Sequence, residues 1–124
     1  MSFESGDVVL VPFPFTSQTT SKQRPAVVVS SPSYNRAKPD VVLMAITSQL
    51  RPSPTLGDVY LGDWRAAGLL KPSVVKPIFA TLEQSLVIRR LGILSAADQA
   101  ALKQVIASFW LNCLRWRGEA DSAN

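Results

Sequence analysis

Arg24-Pro25-Ala26-Val27-Val28-Val29-Ser30-Ser31 and, after one loop, Asp40-Val41-Val42-Leu43-Met44-Ala45-Ile46-Thr47-Ser48 are the two stretches that decide how this chain folds. Their centres are continuously apolar and β-branched, and Pro, Ser and Asn bound them, so both read as strands (Ala26–Ser31 and Asp40–Ser48). An unbroken apolar run implies a strand covered on both faces or bent into a barrel. The residue before a proline is pushed towards extended backbone, so Arg24 enters its strand already extended. One loop, Ser31–Pro39, joins the two runs, which makes them an antiparallel hairpin. Facing residues in a hairpin share a constant sum. Taking Arg24 opposite Thr47 puts Val28 opposite Leu43 and centres the turn near residues 35–36, within the loop read independently. A guanidinium, two hydroxyls and an amide (Arg24, Thr47, Ser48, Gln49) then meet at one rim of the sheet.

Working outward, Gly6–Phe15 reads as a first strand centred on Val8-Val9-Leu10-Val11. Pro12 and Pro14 place it at a sheet edge or end it in a bulge. Thr16–Gln23 is a polar loop of small residues, and Arg51–Thr55 is another. Gly57–Leu61 is a short strand. Asp63–Gly68 is one helical turn stopped by its glycine. Ser73–Ala80 and Leu86–Ile93 are strands, with Pro77 marking a bulge or edge. At Ser95 the period changes. Ser95-Ala96-Ala97-Asp98 resembles a capping box, and Leu102, Val105, Ile106, Phe109, Trp110 and Cys113 follow at helical spacing. The expectation is a C-terminal helix over roughly 95–114 and a frayed tail from Gly118 to Asn124. The class is mostly β: a small antiparallel barrel with one helix packed against it, in a single domain of 124 residues.

Composition narrows the chemistry. The chain has one cysteine, Cys113, and no histidine. An internal disulfide, a multi-cysteine zinc site, a Ser-His-Asp triad and a His-His ribonuclease mechanism are therefore all excluded. Cys113 without a histidine partner reads as a structural thiol. The formal net charge is +4, which favours an anionic partner such as nucleic acid. Most of it comes from Arg65, Lys71, Lys76, Arg89 and Arg90, so any basic surface belongs to the folded body and not to a tail. No basic n-region precedes an apolar stretch at Met1–Asp7, and Val41–Leu50 is too short to span a bilayer. A cytoplasmic protein with no membrane partner is expected.

The Arg24–Thr47 rim suits phosphate. A guanidinium offers a permanently charged fork of donors, and a hydroxyl adds a short hydrogen bond. Such donors stabilise the phosphorane formed when a phosphodiester breaks. The same residue types also occur on ordinary solvated sheet rims, so the residues alone leave both readings open.

Three segments carry a resemblance: Gly6-Asp7-Val8-Val9-Leu10-Val11, then Gln23-Arg24-Pro25-Ala26-Val27-Val28-Val29-Ser30, then Val42-Leu43-Met44-Ala45-Ile46-Thr47-Ser48-Gln49. In this order and spacing they resemble the PemK/MazF toxins of bacterial type II toxin–antitoxin systems. Asp63–Val75 and Leu91-Gly92-Ile93-Leu94-Ser95 resemble the PemK-like branch. The resemblance covers about residues 5–110. It implies an SH3-like barrel, related to the gyrase-poisoning CcdB toxins, and a homodimer. It implies metal-independent, cofactor-free cleavage of single-stranded RNA at short sequences, by 2′-hydroxyl attack that leaves a 2′,3′-cyclic phosphate and a 5′-hydroxyl. The family's catalytic arginine and threonine match Arg24 and Thr47. Arg24 is then the phosphate clamp and the proton donor to the leaving oxygen, while Thr47 holds the phosphate. A cognate antitoxin is the implied protein partner, crossing the basic groove with an acidic segment, and the toxin–antitoxin complex is expected to bind DNA. Many relatives carry a Gly-Ser-Glu-Gln type segment before the Arg-Pro. Thr16–Gln23 lacks its glycine and glutamate, so base preference is not carried over.

Weaker candidates complete the list. Lys22, Arg51, Lys71 and Lys76 form a possible phosphate track, each also an ordinary surface cation. Gln23, Ser48 and Gln49 suit contacts to RNA backbone or base. Tyr34 suits base stacking or a half-buried loop position. Trp64, Phe109 and Trp110 read as packing residues. Two rivals stand beside the ribonuclease: a non-catalytic protein on the same barrel, such as a gyrase poison, and a plain nucleic-acid-binding barrel.

Overall fold

The computed structural model describes residues 2–12, 23–49 and 57–123, with side chains as far as Phe109 in the last helix. The elements are β1 (Asp7–Pro12), β2 (Gln23–Val28), α1 (Pro32–Ala37), β3 (Asp40–Thr47), β4 (Val59–Tyr60), β5 (Val74–Glu83), a 3₁₀ turn (Gln84–Leu86), β6 (Arg89–Ile93) and α2 (Ala96–Ala123). The six strands form one antiparallel sheet in the order β4-β5-β3-β2-β1-β6. It curls into a half-barrel, and α2 follows it. The polar loop expected before Arg24 and the one at Arg51–Thr55 lie outside the described residues, apart from Gln23.

The hairpin register is the one the sequence implies: Ala26, Val27 and Val28 face Ala45, Met44 and Leu43. The continuous apolar runs are also explained, because the sheet is covered on both faces. Val8, Val27, Met44, Ile46 and Val75 pack with Leu61, Ala67, Leu69, Leu94 and Leu102 on one side. Val9, Val11, Ala26, Val28, Val41 and Leu43 pack with Phe3 on the other. Pro77 sits at an irregularity: Met44 faces Phe79 but Ile46 faces Val75, so three β5 residues oppose Ala45. A proline cannot donate to the ladder, and such an interruption is where it is tolerated.

Three expectations are corrected. β1 is not an edge strand; it lies between β2 and β6. Pro12 is accommodated because the β1–β6 ladder stops at Leu10–Arg89, leaving Pro12 paired with β2 alone. The irregularity in β1 falls instead at Val8/Val9, where β6 carries the extra residue Leu91. Next, the Ser31–Pro39 connection is not all loop. Ser31 caps α1, its Oγ accepting from the Tyr34 N–H at 3.2 Å, and Pro32 opens the helix. Lys38, before Pro39, is back in extended backbone, which ends the helix after six residues. Finally, α2 continues to Ala123 rather than stopping near 114. No proline or glycine interrupts it between Ser95 and Gly118.

Buried polar groups are tied down at the α1 end of the sheet. Asn35 donates from Nδ2 to the carbonyls of Phe3 (2.9 Å) and Ser30 (3.2 Å) and accepts from the Ser30 hydroxyl. Gln84 Nε2 donates to the carbonyls of Asn35, Lys38 and Asp40 at 2.7–3.1 Å. These contacts hold α1 against the 3₁₀ turn and fix the closed end of the hairpin, leaving the other end for the site.

Candidate functional site

In an antiparallel sheet the ends of alternate strands share a rim. Here one rim collects the starts of β2, β5 and β6 and the ends of β1 and β3. Arg24 faces Val11 on β1. Thr47 faces Val74 on β5. Arg24 and Thr47 lie at this same rim, each two residues beyond the last β2–β3 pair, Ala26–Ala45. Both line a groove of about 480 Å³, with Gln23, Ser48, Gln49, Lys71, Ser73 and Arg89 among its polar walls and Leu10, Ile46, Leu69 and Leu91 beneath. That volume lies within the range of about 300–1,000 Å³ usual for ligand sites.

The hydroxyl of Thr47 is oriented. Its Oγ1 accepts from the Gln49 N–H at 3.1 Å. With a lone pair engaged by the backbone, its own O–H is left to donate to a ligand, and it donates more strongly for being polarised. The same bond folds Ser48 and Gln49 over the strand end.

The wall opposite is a built turn. Asp98, in the first turn of α2, accepts from the N–H groups of Gly62 and Asp63, both at 3.0 Å, while its own N–H donates to Ser95 Oγ at 3.2 Å. The capping expected from Ser95 is present and extends to a second segment. The turn closes through Gly68 N–H to Arg65 O (3.0 Å) and Leu69 N–H to Trp64 O (3.1 Å). Gly68 has φ +81°, and a Cβ there would sit 2.0 Å from the Leu91 carbonyl oxygen. Only glycine allows this turn to lie so close to β6. Past it, buried Ser73 donates to the Lys71 carbonyl at 2.8 Å and fixes the exit.

The groove is electropositive. Among its described lining residues are three cations, Arg24, Lys71 and Arg89, and no carboxylate. Asp7, Asp40 and Glu83 lie at the opposite rim, at the starts of β1 and β3 and the end of β5. Arg90, one residue from Arg89, points the other way: it pairs with Asp7 at 2.9 Å, donates to Ser2 O and lies over the Phe3 ring. Alternation along β6 thus gives one arginine to the core's edge and one to the groove.

The structure therefore brings Arg24, Thr47, Gln23, Ser48 and Gln49 together. Lys71, named only as a possible track cation, joins them. Tyr34 lies at the far end of the hairpin on α1, where its hydroxyl donates to Asp40 at 3.0 Å. That bond, made by the protonated form, raises the tyrosine pKa. Lys76 is on β5 and pairs with Asp58 at 2.9 Å, outside the groove lining. Lys22 and Arg51 lie outside the described residues, as do the side chains of Trp110 and Cys113. Arg89 and Ser73 were not singled out from the sequence. The Arg89-Arg90 pair on a strand was the available signal, since alternation sends one of the two to each face. Among the described residues no cluster of three metal-ligating side chains occurs and no helix is long and apolar enough to cross a membrane.

The family profile of PemK-like, MazF-like toxins of type II toxin–antitoxin systems matches residues 4–110. The chain belongs to this family. No curated protein sequence matches it significantly. Solved structures resemble the toxin in fold. One, an endoribonuclease in complex with its cognate antitoxin from a mycobacterial species, is 20% identical over 86% of this chain and 93% of that one, with a TM-score of 0.70. The Mycobacterium tuberculosis toxin MazF-mt6 is 21% identical over 82% of this chain and 93% of its own, with a TM-score of 0.67. The MazE–MazF complex of Deinococcus radiodurans gives 21%, 89%, 97% and 0.69. The half-barrel and C-terminal helix of the toxin are thus the MazF fold.

Proposed function

We propose that this toxin is a metal-independent endoribonuclease that cuts single-stranded RNA at the Arg24–Thr47 rim. The single observation that supports this most is the meeting of Arg24 and Thr47 at an electropositive groove whose described lining residues include no carboxylate. A similar fold described as an endoribonuclease adds to it. In the reaction the substrate's 2′-oxygen bonds to the adjacent phosphorus and the bond from phosphorus to the 5′-oxygen breaks. The products are a 2′,3′-cyclic phosphate and a 5′-hydroxyl. The 2′-proton passes to water, and Arg24, having protonated the 5′-oxygen, is reprotonated from water, so no co-reactant is consumed. Arg24 holds the non-bridging oxygens with its donor fork and supplies the proton to the leaving oxygen. Thr47 donates its O–H to the phosphate, with Gln49 N–H holding the hydroxyl in place. Lys71 and Arg89 hold flanking phosphates. Gln23, Ser48 and Gln49 contact the backbone or base edges.

The remaining parts of the reading rest on the groove's charge and on membership of the family. A cognate antitoxin lays an acidic segment across the Arg24–Lys71–Arg89 rim and blocks it, as the antitoxin complexes of similar folds suggest. The toxin acts in the cytoplasm as a homodimer, and the toxin–antitoxin complex binds DNA. The test is incubation of the purified protein with a long single-stranded RNA in EDTA, with the new ends mapped. Discrete cuts with cyclic-phosphate and 5′-hydroxyl ends are expected; RNA intact at high enzyme concentration overturns the reading. The flanking cations make a second, quantitative expectation. Lys71→Ala and Arg89→Ala should each flatten the slope of log affinity against log salt by about 0.7, the contribution of one phosphate contact on a single strand. Lys76→Ala, paired to Asp58, should leave the slope unchanged.

A further inference from the structure

The wall of the groove presents one residue that neither phosphate chemistry nor packing accounts for. Leu70 is 93% exposed, although Leu69 beside it is only 8% exposed. It lines the same groove as Arg24 and Thr47. Its backbone is held from both sides. Before it, Gly68 is pressed against β6 and Leu69 N–H is bonded to Trp64 O. After it, Ser73 holds the Lys71 carbonyl at 2.8 Å. An apolar side chain at the tip of a fixed turn, with a cation next in sequence, is matched to a ligand that is apolar on one side and anionic on the other. A nucleotide of single-stranded RNA is such a ligand, its base offering a flat apolar face and its backbone a phosphate.

We propose that Leu70 is a wedge that packs against the face of a base next to the cut phosphate and unstacks it from its neighbour. This rests on the ribonuclease reading above. The chemistry gives such a wedge a use. Attack by the 2′-oxygen needs that oxygen, the phosphorus and the leaving 5′-oxygen nearly in line. A stacked single strand holds the 2′-oxygen off that line, and parting the two bases lets the ribose rotate into it. Apolar side chains inserted between base steps do this in other nucleic-acid complexes. Here Lys71 and Arg24 hold the backbone while Leu70 occupies the gap. Leu70 is thus a positioning residue: it touches the base, and Arg24 and Thr47 touch the reacting phosphate.

The test uses a short RNA containing the mapped cut site, with 2-aminopurine beside the cut linkage and a deoxyribose supplying the blocked 2′-position. This RNA binds without being cut, and 2-aminopurine brightens when it is unstacked. The wild-type protein should raise the fluorescence. Leu70→Ala should bind with similar affinity, leave the fluorescence near that of free RNA, and cut the ordinary RNA with kcat/KM lower by about 10-fold, the loss of part of a leucine's burial. Leu70→Met should restore both. Removing the neighbouring base, so that no stack remains to be broken, should erase the difference between wild type and Leu70→Ala. The exposed position keeps the fold of the variants intact, which their urea unfolding curves will show. If wild type cuts RNA and Leu70→Ala matches it in both rate and fluorescence, the wedge is refuted and the ribonuclease stands. If wild type neither binds nor cuts RNA, both fall.

Discussion

Replacing Arg24 by alanine is expected to lower the rate of RNA cleavage by about 100–1,000-fold, the usual loss when one preorganised donor to a developing oxyanion is removed. The argument begins in the sequence. Pro25 holds Arg24 extended, β2 pairs on both sides, and Arg24 comes to the same groove as Thr47. A guanidinium placed this way meets two phosphate oxygens at once. Charge spread over those oxygens grows in the transition state, so the loss should fall on kcat more than on KM. Arg24→Lys keeps the charge but not the fork, and should recover little of the rate. Arg24 is only partly buried, at a strand start, so both variants should unfold within about 1 kcal/mol of wild type. Single-turnover cleavage and urea denaturation on the same preparations separate the two effects.

The largest effect on stability should come from Gly68→Ala, at about 4 kcal/mol. The added methyl meets two obstacles. A left-handed φ of +81° is strained for any residue with a Cβ, and that Cβ would lie 2.0 Å from the Leu91 carbonyl oxygen. The neighbour is backbone of β6, and the residues on either side of Leu91, Arg90 and Gly92, pair with β1 and limit how far it can shift. Gly92 meets the same close approach from the other side, since a Cβ there would lie 2.6 Å from Ala67 backbone. The consequence reaches the site, because the segment leaving this turn carries Leu70, Lys71 and Ser73. Gly68→Ala should therefore lose cleavage activity even at temperatures where it remains folded. Gly62→Ala is the control. A Cβ there has only ordinary contact with Asp98 at 3.7 Å, so its effect should be small. Urea unfolding of the two variants, followed by cleavage assays on the folded fraction, checks both statements.

What the sequence made legible was local. The β2–β3 register followed from one loop and two apolar runs, because a hairpin's pairing is set by its turn and its buried faces. That was enough to bring Arg24 to Thr47. The irregularity at Pro77 followed from a proline's missing donor. What escaped was either short or distant. α1 is six residues long, too brief for a periodic pattern, although Ser31-Pro32 carried its start. Pro12 argues for an edge or a terminal bulge in β1; only the termination of the β1–β6 ladder at Leu10–Arg89 shows how an inner strand tolerates it. Arg89 reaches the groove through that same distant pairing, and Lys71 through a turn anchored by Asp98 on α2. Neither contact has a counterpart in neighbouring sequence. The two charge partners that separate Arg90 and Lys76 from the groove, Asp7 and Asp58, are likewise set by the fold and not by spacing.

The most direct test of the central claim is a substrate with one oxygen missing. In a single-stranded RNA containing a mapped cut site and a second site elsewhere, the 2′-hydroxyl at the first site is replaced by hydrogen, and cleavage is followed in EDTA. The account predicts that the altered linkage survives intact while the second site is cut at its usual rate and ends in a cyclic phosphate. Cutting of the deoxy linkage at an undiminished rate would contradict it, because the attacking group could not then be the substrate's own 2′-oxygen.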